Sequence, residues 1–439
     1  MTLESKYNVP TMALHCDVFR TLVRSVTRLR GMPQARYAFV PMPVMGKTPE
    51  ELTGYIEGID PVNKKPVWQE IIEGLTVSAE ADPEDLKNLT FDRSRARTVG
   101  PETEEDLQQL FLENDWTDKL PIILPTEERV AAMLAHTSHK PDEILGHMGH
   151  HLHEMWEYTV ENVAVNAVMS GAKPEYFPVI LAMAASQISA RGSSSSSMSG
   201  MAVINGPIRH EIKMNMGIGA LGPFNHANAT IGRAWGLLSQ NCQGSSKPGL
   251  TYMGSQGNNY SYNNMTFPEN EERSPWEPFH VEHGFKASDS TVSLFGSLWS
   301  TQFTFGLPEK HWKDHLYHMF RGNDPSNRAT FVLDPLTARQ FIDRGGFDTK
   351  EKLRQWVYET ALMPQSEFWD YQIVKNYVLP RATAGEEPMA SKWRAAPDEL
   401  VHIWEPNEIQ FVVVGGETNA YWRLMGSRYN RTVSIDEWR

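Results

Sequence analysis

Three stretches of this 439-residue chain concentrate side chains able to move protons or hold charge. The densest is Ser274-Pro-Trp-Glu277-Pro-Phe-His280-Val-Glu282-His283-Gly. A histidine near a carboxylate is the minimal general acid–base pair. In an extended backbone His280 and Glu282 share one side, with Val281 and His283 on the other. A catalytic role for His280 with Glu277 or Glu282, Trp276 lining the site, is one reading. The other is a rigid, hydrogen-bonded loop around a buried Trp276, since two prolines flank Glu277.

The second stretch is suited to anions. Asn228 stands where an N-cap belongs, ahead of a helix whose apolar face is Ile231, Ala234, Trp235 and Leu238, with Thr230 and Arg233 in or near its first turn. Free N–H groups, the helix dipole and a guanidinium together attract a carboxylate or phosphate. Asn205-Gly-Pro-Ile-Arg209 ends a strand-like run and adds a second guanidinium. Arg209 and Arg233 therefore either capture a substrate anion, with Asn205, Asn228 and Thr230 orienting it, or pair with structural acids.

In the third stretch, His147, His150, His151, His153 and Glu154 cluster. If helical, His147, His151 and Glu154 share a face, a start for a divalent metal, although Gly146 and Gly149 weaken such a helix and favour a surface histidine patch. Glu417 lies in the glycine turn after the strand-like Val412-Val-Val, where sites of α/β sheets gather. Gly217-Ile-Gly-Ala-Leu-Gly222 has the letters of a dinucleotide fingerprint without its context. No hydrophobic strand precedes it, Pro223 follows, and no acid stands about twenty residues on. A glycine-rich loop is expected there, and no nucleotide cofactor.

The elements that must carry these groups alternate between strand-like and helix-like. Residues 9–14 and 37–44 resemble strands around a helical pattern at 17–29, a small α/β unit over 1–78. An α/β unit that opens on its first strand has nothing upstream to pair with, so that strand is either an edge or completed by another polypeptide. Residues 79–110 are charged, with little apolar periodicity, and form a linker or excursion. From 111 to 439 a large α/β domain is expected. Thr126 caps a helix Glu127–Leu134, 159–170 forms a helix stopped by Gly171, and Pro174 opens another. Strands are expected at 201–204, 291–294, 330–333 and 409–414, and Asp334-Pro335 turns into a helix at 336–343. The serine run 193–197 is a loop. The fold class is α/β, sheets and helices in mixed layers.

Composition narrows the function classes. The chain is 40% hydrophobic and 22% charged, the balance of a soluble globular protein. Its formal charge of −13 offers no footprint for a phosphate backbone, so nucleic acid is not the expected partner. Two cysteines, Cys16 and Cys242, make neither a disulfide framework nor a metal motif. No apolar run is long enough for a bilayer and no signal peptide is evident, so a cytoplasmic protein with no membrane partner is expected.

Several longer motifs point to one family. Asn114-Asp-Trp-Thr-Asp-Lys-Leu-Pro-Ile-Ile-Leu-Pro-Thr-Glu-Glu-Arg-Val-Ala-Ala-Met-Leu134, Val163-Ala-Val-Asn-Ala-Val-Met-Ser-Gly-Ala-Lys-Pro-Glu-Tyr-Phe-Pro178, Val203-Ile-Asn-Gly-Pro-Ile-Arg209, Ala227-Asn-Ala-Thr-Ile-Gly-Arg233 and residues 274–285 resemble a poorly characterised bacterial family. That family is associated with the UGSC-motif thiol/selenol proteins, named for a Sec-Gly-Ser-Cys or Cys-Gly-Ser-Cys motif. The likeness spans most of residues 8–439 and brings no assigned reaction. It implies that the amino-terminal part matches the second half of the thiol or selenol domain, without its motif, and that Ala172 stands where some relatives have Cys. The implied protein is the carboxy-terminal part of a split member, one subunit of a hetero-oligomeric enzyme. Oxidoreductase or lyase is the expected class, with a small anionic or sulfur-containing substrate, and a companion subunit carrying Cys/Sec-Gly-Ser-Cys supplies the reactive sulfur or selenium. The alternatives are a metal-dependent hydrolase or hydratase using the His147–His153 cluster, and a non-catalytic assembly subunit.

Overall fold

The structure is a computed structural model that describes residues 9–20, 34–44, 47–76, 96–100, 103–146, 157–191, 198–243 and 256–439, with residues 4, 23, 24, 27, 32 and 148 between them. The class is α/β. The amino-terminal unit pairs β1 (Ala13–Cys16) with β2 (Tyr37–Val40) in parallel, so the opening strand begins later than the expected 9–14 and is not left without a partner. The described residues of 17–29 open in a 3-10 turn, Asp17–Phe19. Helices Pro49–Glu57 and Val67–Thr76 follow, and Val67, Ile71, Tyr55 and Ile56 close a small core on Ala38 and Val40. Buried Asp60 knits the unit together, accepting from the backbone N–H of Phe39 at 2.6 Å and of Val62 and Asn63 at 2.6 and 2.8 Å. Leu14 remains exposed on β1.

Helix Glu104–Glu113 straddles the expected boundary at 110. It buries Phe111 against Ile122, Leu124, Met169 and Leu237, which ties the end of the expected linker to the large unit. Thr126 caps helix Glu127–Leu134 by accepting from the N–H of Arg129. Thr159 caps helix Val160–Met169 through a reciprocal bond with Asn162, and Gly171 follows at φ +83°. A short antiparallel pair, β3 (Ile144–Gly146) and β4 (Tyr158–Thr159), precedes that helix.

The centre is one mixed sheet of six strands among the described residues, in the order Ile409–Val413, Ala329–Leu333, Tyr421–Ser434, Thr291–Phe305, Ser199–Asn205 and Thr266–Pro268. Its members are β5 (Ser199–Asn205), β6 (Thr266–Pro268), β7 (Thr291–Phe305), β8 (Ala329–Leu333), β11 (Ile409–Val413) and β12 (Tyr421–Ser434); β9 (Leu362–Pro364) and β10 (Leu400–His402) pair separately. The long β7 and β12 run antiparallel with bulges near Gly426 and Tyr429, and bulges bend strands. The sheet therefore curls. Asn270, just past β6 at one edge, donates its N–H to the carbonyl of Val413 and its amide to that of Gly415, both at or just past the end of β11 on the other edge. The curled sheet encloses Met201, Val203, Phe267, Phe295, Leu298, Val332, Val412 and Met425, contributed by all six strands.

Helices cover the outer face in two groups. Ala202, Ile204, Val292 and Leu294 pack under helices Val160–Met169, Phe177–Ala185 and His226–Gln243. Phe331, Leu333, Phe411, Trp422 and Leu424 pack under helices Trp312–Arg321, Pro335–Gly345 and Lys350–Thr360. Gly232 and Gly236, one turn apart on helix His226–Gln243, let the 263–266 loop lie against its backbone. A Cβ on Gly232 would meet the Asn263 carbonyl, and one on Gly236 the Asn264 amide. No helix among the described residues is long and apolar enough to cross a membrane.

Candidate functional site

Two of the expected constellations meet, through residues that the sequence did not mark. The turn Glu269-Asn-Glu-Glu272 after β6 lies between Asn205 at the end of β5 and the segment that carries His280. Asn205 donates its amide to Glu269 at 2.6 Å and to Glu271 at 2.9 Å. The same Glu269 oxygen accepts the Phe279 N–H at 2.7 Å. Glu269 is fully buried. Its other oxygen faces Lys350 Nζ at 3.8 Å, and Lys350 lies 3.3 Å from Glu282, which also pairs with Arg354. Burial alone would raise the Glu282 carboxyl; Lys350 and Arg354 hold it below the usual carboxylate range.

This network corrects the acid–base reading. Residues Phe279–Glu282 form a turn of helix rather than a strand, so side chains two apart point about 200° from each other and Glu282 turns away from His280. His280 is fully buried and neither ring nitrogen has a hydrogen-bond partner among the described residues, so it is paired with neither Glu282 nor Glu277. Glu277 is exposed on the surface. His283 stacks on Phe279 at 4.2 Å and bonds its carbonyl at 2.8 Å. Burial keeps the His283 imidazole below its ordinary pKa. Trp276 is a core residue whose indole N–H donates to the Phe347 carbonyl, so it lines no open site.

The expected anion cradle is also corrected. Arg209, almost wholly buried, is saturated. It pairs with Glu271 at 2.8 Å and with Glu272 at 3.0 Å, and donates to the carbonyls of Gly206 and Glu269. Arg233 grips Asp118 through two bonds of 2.9 Å and donates to the Pro121 carbonyl. Both guanidiniums are neutralised by structural acids, which leaves no cation there for a ligand. Asn228 lies inside helix His226–Gln243, not at its cap. Its amide holds the loop before the helix, donating to the carbonyls of Asn215 and Ala220 and accepting the Asn215 N–H. Thr230 bonds back to the His226 carbonyl. Glu417 pairs with Arg339 and lies 3.6 Å from Arg273. The histidine cluster, with His147, His151 and Glu154, lies outside the described residues, as does the serine run. Among the described residues no group of three or more His, Cys, Asp or Glu is placed to hold a metal.

The Gly217–Gly222 loop is closed on itself. Asn225 donates to the carbonyls of Gly219, Ala220 and Gly222, and Ile218 sits against Gly416. Those carbonyls are held within the protein.

What stands open is the mouth of the curled sheet. Ala220, Leu221, Gly222, Asn228, Ala229, Tyr260, Asn263, Met265, Thr266 and Arg423 line a depression there. Arg423 rises from β12, its Nη1 3.4 Å from the Tyr260 hydroxyl and its guanidinium 5.5 Å from the Phe303 ring centroid. Arg423 is not in an ion pair with any acid among the described residues. Asn264 and Met265 at the rim hold φ of 46° and 21°, a strained backbone kept by surrounding contacts. The Asn264 amide anchors it, donating to the Gly232 carbonyl. Sequence reasoning passed over Arg423, although a guanidinium between Trp422 and Leu424 in a strand-like run was a visible signal. Lys350, Arg354 and the 269–272 acids carried none, because their partners lie far along the chain.

No family model matches the chain, and no curated protein and no solved structure shows a significant similarity to it.

Proposed function

We propose that this chain is the anion-binding subunit of a hetero-oligomeric enzyme acting on a small anionic or sulfur-containing molecule, oxidoreductase or lyase in class. Arg423, with the Tyr260 hydroxyl beside it, holds the anion. The observation that carries the reading is the contrast between arginines. Arg209 and Arg233 are enclosed by carboxylates, while Arg423 faces a depression with no carboxylate partner among the described residues. Mouths of curled sheets are common ligand sites, and a guanidinium clamps a carboxylate or a sulfur oxyanion in bidentate fashion.

The attacking thiol or selenol comes from a companion subunit in this reading. Burial and the neighbouring Asp17 push the Cys16 thiol up, so it stays protonated and unreactive at neutral pH. Exposed Leu14 on β1, in a parallel sheet that has two strands among the described residues, supports a companion docking there, since parallel sheets are normally covered on both faces.

Calorimetric titration with acetate and with mercaptoacetate tests the anion site. Saturable binding by the native protein, weakened at least tenfold in Arg423→Gln, is expected. Equal affinity in Arg423→Gln overturns the assignment. Copurification with a Cys-Gly-Ser-Cys or Sec-Gly-Ser-Cys protein tests the companion, and activity from this chain alone would remove it.

A further inference from the structure

Arg423 does not stand alone on its strand. Antiparallel register sets Arg423 opposite Phe303 and Tyr421 opposite Phe305, and residues two apart on a strand share a face. The result is a strip running outward from the guanidinium. The Phe303 and Tyr421 rings meet edge to face at 4.1 Å, and Phe305 and Tyr421 at 4.9 Å. All three rings are well exposed, Phe305 at 62%. The strip begins at the cation itself, because Phe303 is the ring beneath Arg423. Tyr260, which lines the depression, bonds both Arg423 and Thr301, so hydroxyl, guanidinium and rings form one continuous surface.

We infer that the mouth takes a carboxylate carried by an aromatic ring, such as an arylacetate. The carboxylate meets Arg423 and the Tyr260 hydroxyl, and the ring lies against Phe303, Tyr421 and Phe305. The reasoning is geometric and electrostatic. A lone acetate would leave the rings wet, whereas an arylalkanoate of one or two methylenes spans from the cation to the strip. Aromatic pairs prefer the offset and edge-to-face arrangements that these rings already adopt among themselves. This deepens the proposed anion site and rests on it.

The test compares acetate, hexanoate and phenylacetate by calorimetry on the full chain. Phenylacetate is expected to bind at least tenfold more tightly than acetate and severalfold more tightly than hexanoate. Phe305→Ala, an exposed position, should bring phenylacetate close to acetate and leave acetate unchanged. Arg423→Gln should weaken both. Circular dichroism and a thermal melt confirm that each variant is folded. If acetate and phenylacetate bind alike and both need Arg423, the anion site stands and the aromatic class falls. If hexanoate matches phenylacetate, the strip is merely apolar and the inference falls. If neither anion needs Arg423, the anion site itself falls. If Phe305→Ala changes the oligomeric state and not the affinity, the strip is a protein interface and the inference is overturned.

Discussion

Lys350→Met isolates the energetics of the buried network. Lys350 is almost wholly buried, and its ammonium lies 3.3 Å from Glu282 and 3.8 Å from the fully buried Glu269. At an effective dielectric near 20 those separations correspond to gross attractions of about 5 and about 4 kcal/mol, largely offset by desolvation of the three charges. Methionine keeps an unbranched stem of similar length and removes the charge, including the ammonium that stands 5.5 Å over the Phe279 ring. Glu282 retains Arg354, but Glu269 is left without a cation, and stranding a buried charge costs about 3–5 kcal/mol. In urea, with tryptophan fluorescence as the signal, the midpoint should fall by roughly 1 M. The decisive variant is Lys350→Met/Glu269→Gln. Glutamine places its oxygen where the carboxylate accepts from Asn205 and Phe279. Its nitrogen replaces the oxygen that has no hydrogen-bond partner. The double variant should recover at least half of the loss. A single-variant loss below about 1 kcal/mol, or strictly additive losses in the double, would refute the view that Lys350 compensates Glu269.

Other consequences are independent of the network. Burial would raise the Glu272 carboxyl, but Arg209 and His210 hold it down to about 2, so its stabilisation is present above 4.5 and lost as the pH falls toward 2. Glu272→Gln should flatten that acid limb of the melting temperature, and an unchanged slope counts against the pairing. Gly232→Ala sets a methyl into the Asn263 carbonyl and should cost about 3 kcal/mol or more, read by chemical denaturation. Gly171→Ala, where a Cβ would make only ordinary contacts with Ile123 and Thr230 at 3.9 Å and φ is what resists, should cost about 1–2 kcal/mol. Asp334 caps helix Pro335–Gly345 at Thr337 and also bonds the Tyr421 N–H, so Asp334→Ala should destabilise by about 2 kcal/mol, more than an ordinary cap. Matching losses for the two glycine variants, or a neutral alanine at 334, would contradict these assignments.

Local signals were the legible ones. Thr126 reads as a cap because its side-chain oxygen satisfies the N–H of Arg129 three residues on, a relation visible within four letters; Thr159 and Asp334 do the same, although the sequence was read there only as helix and as the turn into one. The buried strands at 201–204, 330–333 and 409–414 read correctly because apolar runs bounded by turn residues need no distant partner to be recognised. The failures share a cause. Arg209 finds its acids more than sixty positions along the chain, and Arg233 finds Asp118 more than a hundred away, so no local pattern distinguishes a committed guanidinium from a free one. His280 was read as part of a strand-like alternation, but Pro278 at the N-cap starts a helical turn, and the change of period separates His280 from Glu282. Only the 291–294 start of the fifteen-residue β7 was recognised. Its later half, Leu-Trp-Ser-Thr-Gln-Phe-Thr-Phe305, lacks a continuous apolar run, and it is a strand because β12 pairs with it from 116 to 126 residues along the chain.

The distribution of arginines is what connects fold to function here. In a chain of net charge −13, a basic side chain that reaches a carboxylate will hold one, and Arg97, Arg209, Arg233, Arg321, Arg339 and Arg354 all do. Arg423 departs from that pattern, as Arg129, Arg344, Arg428 and Arg431 also do among the described residues, and of these Arg423 is the one that lines the depression. Its position on β12 explains how. The neighbours across the strand are Phe303 and Val332, the loop above supplies Tyr260, and the nearest strand residues are Trp422 and Leu424, none of them an acid. An aromatic ring on one side and a hydroxyl on the other support a guanidinium without cancelling its charge, whereas a carboxylate would. The same strand register that curls the sheet therefore keeps one cation available at its mouth. A substitution placing an acid opposite it, Phe303→Glu, should form an ion pair with Arg423 and abolish acetate binding while leaving the melting temperature within a few degrees. Acetate binding that survives Phe303→Glu would show that the charge of Arg423 is not what the anion reads.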